Sequence, residues 1–171
     1  MSFQRFMKAC VEGDEHKAKS LISRNPNLIK KRDAGGNTGL NLSICGQHHS
    51  LTRWLLTLPG LDANNISEDN ACTALHLAVV SGSPMDIVIT LVKLSGGKTL
   101  NQKTNDGFTA LDWALDCGCG PSISASLYLS WLGAECKEEK RVYREVTLQT
   151  WVEEGCLTDA QFWAVATDDV G

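Results

Sequence analysis

No long run of basic residues occurs in this chain. The longest is Lys30-Lys31-Arg32, and the formal net charge is −4. A polyanion would find no stripe to grip, so nucleic acid is not an expected partner. No apolar run nears the ~18–20 residues that cross a bilayer, so no membrane is expected either. The opening residues, MSFQRFMKAC, carry charge early and hold no apolar signal core. An intracellular protein, cytoplasmic or nuclear, is therefore expected. Strand-length alternation of apolar and polar residues is missing, which argues against a sheet. A phosphate-binding loop is also missing. The string GGKT (Gly96 to Thr99) comes nearest, but the glycine such a loop needs five positions before its Gly-Lys pair is Val92 here. GGKT reads better as the end of a helix, and no cofactor is expected. No nucleophile with a base and an orienting group is visible, so the chain is not expected to be an enzyme.

Cysteine is present in number but not in pattern. Seven are scattered along the chain, an odd count. Without an export signal they read as reduced thiols. CGCG (Cys117 to Gly120) lacks the second ligand pair of a zinc site. A thiol or metal protein using Cys117 and Cys119 stays open as an alternative.

What the chain does have is repetition. GNTGLNLSICGQH begins at Gly36, ACTALHLAVVSGS at Ala71 and GFTALDWALDCGC at Gly107. Their threonines, Thr38, Thr73 and Thr109, lie 35 and 36 residues apart. Two residues after each comes a leucine: Leu40, Leu75, Leu111. A small residue follows at Ser43, Ala78 and Ala114. Weaker copies flank these, at Phe6 to Ile22 and at Leu148 to Val165. Each unit reads as two short helices. The first runs for roughly nine residues from a threonine N-cap and ends near a glycine: Gly13, Gly82, Gly118, Gly155. The second carries apolar residues at helical spacing, as in Leu51, Trp54, Leu55, Leu58 and in Ile87, Leu91, Leu94. A pair this short cannot bury its own apolar face, so neighbours must stack. The fold class is all-α.

The string Thr73-Ala74-Leu75-His76-Leu77-Ala78 resembles the ankyrin repeat, whose usual form is T-P-L-H-x-A at a period near ~33 residues. Thr109 to Ala114 matches with Asp112 in the histidine slot, and Thr38 to Ser43 with Asn41 there. The resemblance implies an ankyrin solenoid of stacked helix pairs joined by projecting hairpin loops. Five units are expected: an N-terminal cap at 3–32, repeats at 33–67, 68–103 and 104–137, and a degenerate C-terminal cap at 138–171. Trp151, Phe162 and Trp163 would close the far end. Such stacks generally bind proteins and do not catalyse. An adaptor or an inhibitor is implied, with small inhibitors of NF-κB or of cyclin-dependent kinases as the nearest alternatives, and a monomer when unbound.

Thr38, Thr73, His76 and Thr109 read as structural. Three different polar groups share the histidine slot, which fits backbone hydrogen bonding and not proton transfer. The resemblance places recognition elsewhere. Hairpin tips are expected at Asn37, at Asp69, Asn70 and Cys72, and at Asn105, Asp106 and Phe108. First-helix ends are expected at Val80 and Ser81, at Asp116, and at Glu153 and Glu154. Phe108 is either an exposed anchor or a side chain packed on the neighbouring tip. Carboxylates dominate the set. Either they meet a partner with a basic patch, or they are ordinary solvated charge.

Overall fold

The computed structural model describes residues 2–117 and 120–141. Eight α-helices form four pairs among them: α1 (Ser2–Glu12) with α2 (Glu15–Arg24), α3 (Gly39–Cys45) with α4 (His49–Leu56), α5 (Ala74–Val80) with α6 (Met85–Ser95), and α7 (Ala110–Cys117) with α8 (Gly120–Trp131). Short 3-10 turns lie at Pro26–Lys30 and Glu138–Lys140. No strand forms among the described residues; one isolated antiparallel bridge, Ile66 to Thr73, marks a hairpin loop. The first helices touch in sequence, α1 on α3, α3 on α5 and α5 on α7, and the second helices do so from α4 to α6 to α8.

The repeat phase explains the stacking. Leu40, Leu75 and Leu111 are fully buried, as is Phe6 at the same phase of the first pair. Burying each removes an apolar side chain from water, worth ~1.5–3 kcal/mol apiece. Small residues stand three positions further on: Ala9, Ser43, Ala78 and Ala114, none more than 1% exposed. They let adjacent helices close up. Gly39 shows the limit, because a Cβ there would sit 2.7 Å from the Phe6 ring and 2.9 Å from the Cys10 sulfur.

Local chemistry sets the helix ends. Thr38 Oγ1 accepts the Asn41 amide at 3.4 Å and caps α3. Thr73 does the same for α5, and His76 returns the favour by accepting the Thr73 amide on Nδ1 at 3.3 Å. Thr109 Oγ1 accepts the Asp112 amide at 3.2 Å in α7. α3 and α5 are shorter than nine residues, because the residue nine past each threonine lies beyond the cap. Gly82 has φ +65° there, and α5 has already ended at Val80. The same left-handed slot holds Gly13 at +70° but Gln47 at +56°. A second left-handed slot, two residues before each threonine, holds Gly36, Ala71 and Gly107 at +76°, +56° and +78°. GGKT does end a helix, with Gly96 as the left-handed cap of α6 at φ +59°.

Leu94 departs from the sequence reading. Helical spacing puts it in the apolar face of the second helix, yet it is 48% exposed. It sits one residue before the last of α6. The expected closing residues Trp151, Phe162 and Trp163, and most of the unit at 138–171, lie outside the described residues.

Candidate recognition face

His76 is the pivot of the third pair. It is fully buried. Its Nδ1 accepts the Thr73 amide and lies 2.9 Å from Thr73 Oγ1. That leaves Nε2 to carry the proton and donate to the Phe108 carbonyl, 3.2 Å away and 32 residues on in the chain. Burial holds the imidazole below its ordinary pKa, against the Phe108 hydrogen bond and the Asp112 charge. A neutral ring with both nitrogens engaged is a tie between repeats. The Trp113 ring meets it edge-on, with centroids 5.2 Å apart.

The other two occupants of this slot do the job differently. Asp112 is fully buried, and its Oδ2 accepts the Thr109 amide at 2.8 Å and hydroxyl at 3.0 Å. Its Oδ1 reaches forward to the Lys137 amide at 2.7 Å. Asn41 takes only the Thr38 hydroxyl, at 3.1 Å, and its buried Nδ2 has no partner. Three residue types thus give two ties across repeats and one that stays local.

The hairpin tips are joined through backbone atoms. The Glu68 amide donates to Gly35 O at 2.9 Å, and the Asn105 amide donates to Asn70 O at 3.0 Å. The Asn105 side chain donates to Asp69 O at 3.2 Å. Approach is close: a Cβ on Gly36 would lie 2.7 Å from the Glu68 nitrogen. Asp69, Asn70, Asn105 and Asp106 remain exposed above this ribbon. Asn37 is half-buried, with its amide on Asp33 Oδ1 at 2.8 Å.

Cys72 does not belong with them. It is 1% exposed, so it offers no surface to a partner. Its amide is spent on Ser67 Oγ at 3.0 Å. Burial, with the charges of Cys45 and Asp106, pushes the thiol up to about 11. Phe108 is half-buried, with the Lys137 ammonium 3.3 Å from its ring centroid and the Lys140 ammonium 5.0 Å. It packs on the next loop.

On the first-helix face, Val11 and Val80 are 53% and 47% exposed. Ser81 is half-buried; its hydroxyl donates to Leu77 O at 2.7 Å, and its carbonyl accepts Gln47 Nε2 at 3.1 Å. Asp116 is exposed and ion-paired with Lys140. Val80, Trp113, Asp116 and Cys117 line an open cleft of about 240 Å³. Glu153, Glu154 and Cys119 lie outside the described residues. Among the described residues, no group of three or more His, Cys, Asp or Glu is placed to hold a metal. No described helix is long and apolar enough to cross a membrane.

The family model for ankyrin repeats (three copies) matches residues 6–104. The chain belongs to the ankyrin repeat family. Among its relatives is the probable 26S proteasome regulatory subunit p28 of Saccharomyces cerevisiae, 28% identical over 116 residues, covering 67% of this chain and 50% of that protein. The putative ankyrin repeat protein FPV031 of Fowlpox virus is 29% identical over 107 residues, covering 61% of this chain and 31% of that one. This chain thus spans half or less of the curated relatives it matches. Ankyrin repeats are protein–protein interaction modules, and the geometry above suits that use. A stack tied together through buried side chains and backbone leaves its tip carboxylates and helix-end apolar residues free.

Proposed function

We propose that this ankyrin stack is a non-enzymatic adaptor or inhibitor that binds a protein carrying a basic patch. One observation carries the reading. Asp69 and Asp106 stand at neighbouring tips whose backbones are fixed, so their carboxylates are presented without a backbone ordering cost at binding. Val80 and the cleft it lines, at the far end of the first helix, supply apolar contact. Fixed charge of one sign steers an oppositely charged partner and raises its association rate. The likeness to a 26S proteasome regulatory subunit makes the proteasome's regulatory assembly the first partner to try.

The test is capture of purified proteasome regulatory assemblies by the tagged full chain, with Asp69→Lys/Asp106→Lys/Asp116→Lys as the comparison. The wild type should capture them. At low salt the triple variant should associate ~10-fold or more slowly. Equal association rates would discard the electrostatic part, and no capture would discard the proteasome as partner.

A further inference from the structure

Lys140 is the most deeply buried cation described, with its side chain 10% exposed. Burying an ammonium is unfavourable unless partners replace its water. Here they do. The Nζ donates to the Asp112 carbonyl at 3.2 Å and to the Asp116 carboxylate, and it faces the Phe108 ring. Lys137 stands one 3-10 turn earlier, with its ammonium over the same ring and on Asp106 O at 3.2 Å. An aromatic face, a carboxylate and two carbonyls thus converge on two lysines spaced i, i+3.

These lysine heads are not needed to attach the segment. Its backbone is already held by Thr109 Oγ1 on Glu135 O at 2.8 Å, by the Lys137 amide on Asp112, and by the Glu135 amide on Asn101 Oδ1 at 2.8 Å. Nor is the arrangement a repeat feature. The positions matching Phe108 are Asn37 and Cys72, and those matching Asp116 are Cys45 and Val80. Asp116 also keeps 61% of its side chain exposed, so its carboxylate can be approached from solvent. It borders the open apolar cleft beside Val80 and Trp113.

We propose that this end of the recognition face is a receptor for a Lys-x-x-Lys turn. The chain's own Lys137 and Lys140 fill it in cis, and a partner segment with the same spacing competes for it. The proposal rests on the protein-binding reading and adds the partner's chemistry. It also makes the segment a self-competitor: a partner reaching Phe108 and Asp116 must first displace it.

The probe is a synthetic peptide with the sequence of residues 134–141, paired with a twin bearing glutamine for both lysines. Amide shifts of Phe108 and Asp116 are followed in the full chain up to millimolar peptide. A tethered segment competes at roughly millimolar effective concentration, so Lys137→Gln/Lys140→Met should bind the peptide about tenfold or more tightly than the wild type. The glutamine twin should not bind. Equal affinity in both chains, binding of the twin, or no binding by the double variant would overturn the proposal. A second readout needs no variant. In the wild type, Lys140 should acylate about tenfold more slowly than exposed Lys98, and the lysine peptide should speed that reaction. Equal rates, or no acceleration, would overturn it too. A chain that captures a partner yet ignores the peptide loses only this site. A chain that binds the peptide but captures no protein loses only the broader reading.

Discussion

Replacing His76 by Asn tests whether the tie between repeats is the main work of this residue. Asn can still accept the Thr73 hydroxyl, as Asn41 does at Thr38. It cannot span to the Phe108 carbonyl, and its Nδ2 would be stranded as that of Asn41 is. Leaving a buried donor unpaired costs ~1–3 kcal/mol, and a lost hydrogen bond about 1 more. The missing ring volume beside Trp113 adds a cavity cost, at ~24 cal/mol per Å3. The sum is ~3–4 kcal/mol, a large part of the ~5–15 kcal/mol that holds a domain folded. Equilibrium urea unfolding followed by far-UV circular dichroism should show the midpoint fall by ~1–4 M, given m-values of ~1–3 kcal/mol per molar. The reciprocal change, Asn41→His, removes the stranded amide and aims a ring nitrogen at the Cys72 carbonyl. It should stabilise by ~1 kcal/mol. A loss below 1 kcal/mol for His76→Asn, with no gain for Asn41→His, would refute the assignment of this slot as a tie between repeats.

Ala71 holds φ +56° where its phase-mates are glycine, so Ala71→Gly should raise stability by ~0.5–1 kcal/mol in the same assay, strain relief outweighing chain entropy. Cys45 and Cys117 are exposed, whereas Cys10 and Cys72 are buried with thiols pushed up to about 12 and about 11. Alkylation with mass spectrometry should therefore label the first two in the folded chain and the second two only after unfolding. The folded pKa of His76 lies below its unfolded value, so the unfolded chain binds the extra proton. Stability should fall as pH drops below ~6.5, the unfolded histidine value, toward the folded one, and His76→Asn should remove that part of the slope in denaturation from pH 7 to 5.

The fold was legible because repetition multiplies weak signals. Thr38, Thr73 and Thr109 each cap or anchor a helix where their spacing put them, and Leu40, Leu75 and Leu111 are all core. The candidate face was less legible, since register says where a residue sits along the chain but not which way it points. Cys72 shows this: it is next in line to exposed tip residues, yet it faces inward. Phe108 shows a second limit. It is covered by lysines 29 and 32 residues further on, and no pattern local to Phe108 could announce them. The burial of Lys140 was equally hidden, because a charged turn reads as solvated until the Asp112 carbonyl and Asp116 carboxylate are seen around it.

The ribbon that joins the tips rests on main-chain hydrogen bonds, and the side chains of Asn65, Asn105 and Lys137 that help it also bond to main-chain carbonyls, those of Gly36, Asp69 and Asp106. Peptide groups are the same whatever residue carries them. The identities of Asp69 and Asp106 are therefore uncoupled from the construction that holds them up. Such a platform can be rewritten letter by letter at its tips, acquiring new partners by substitution while the scaffold beneath stays unaltered.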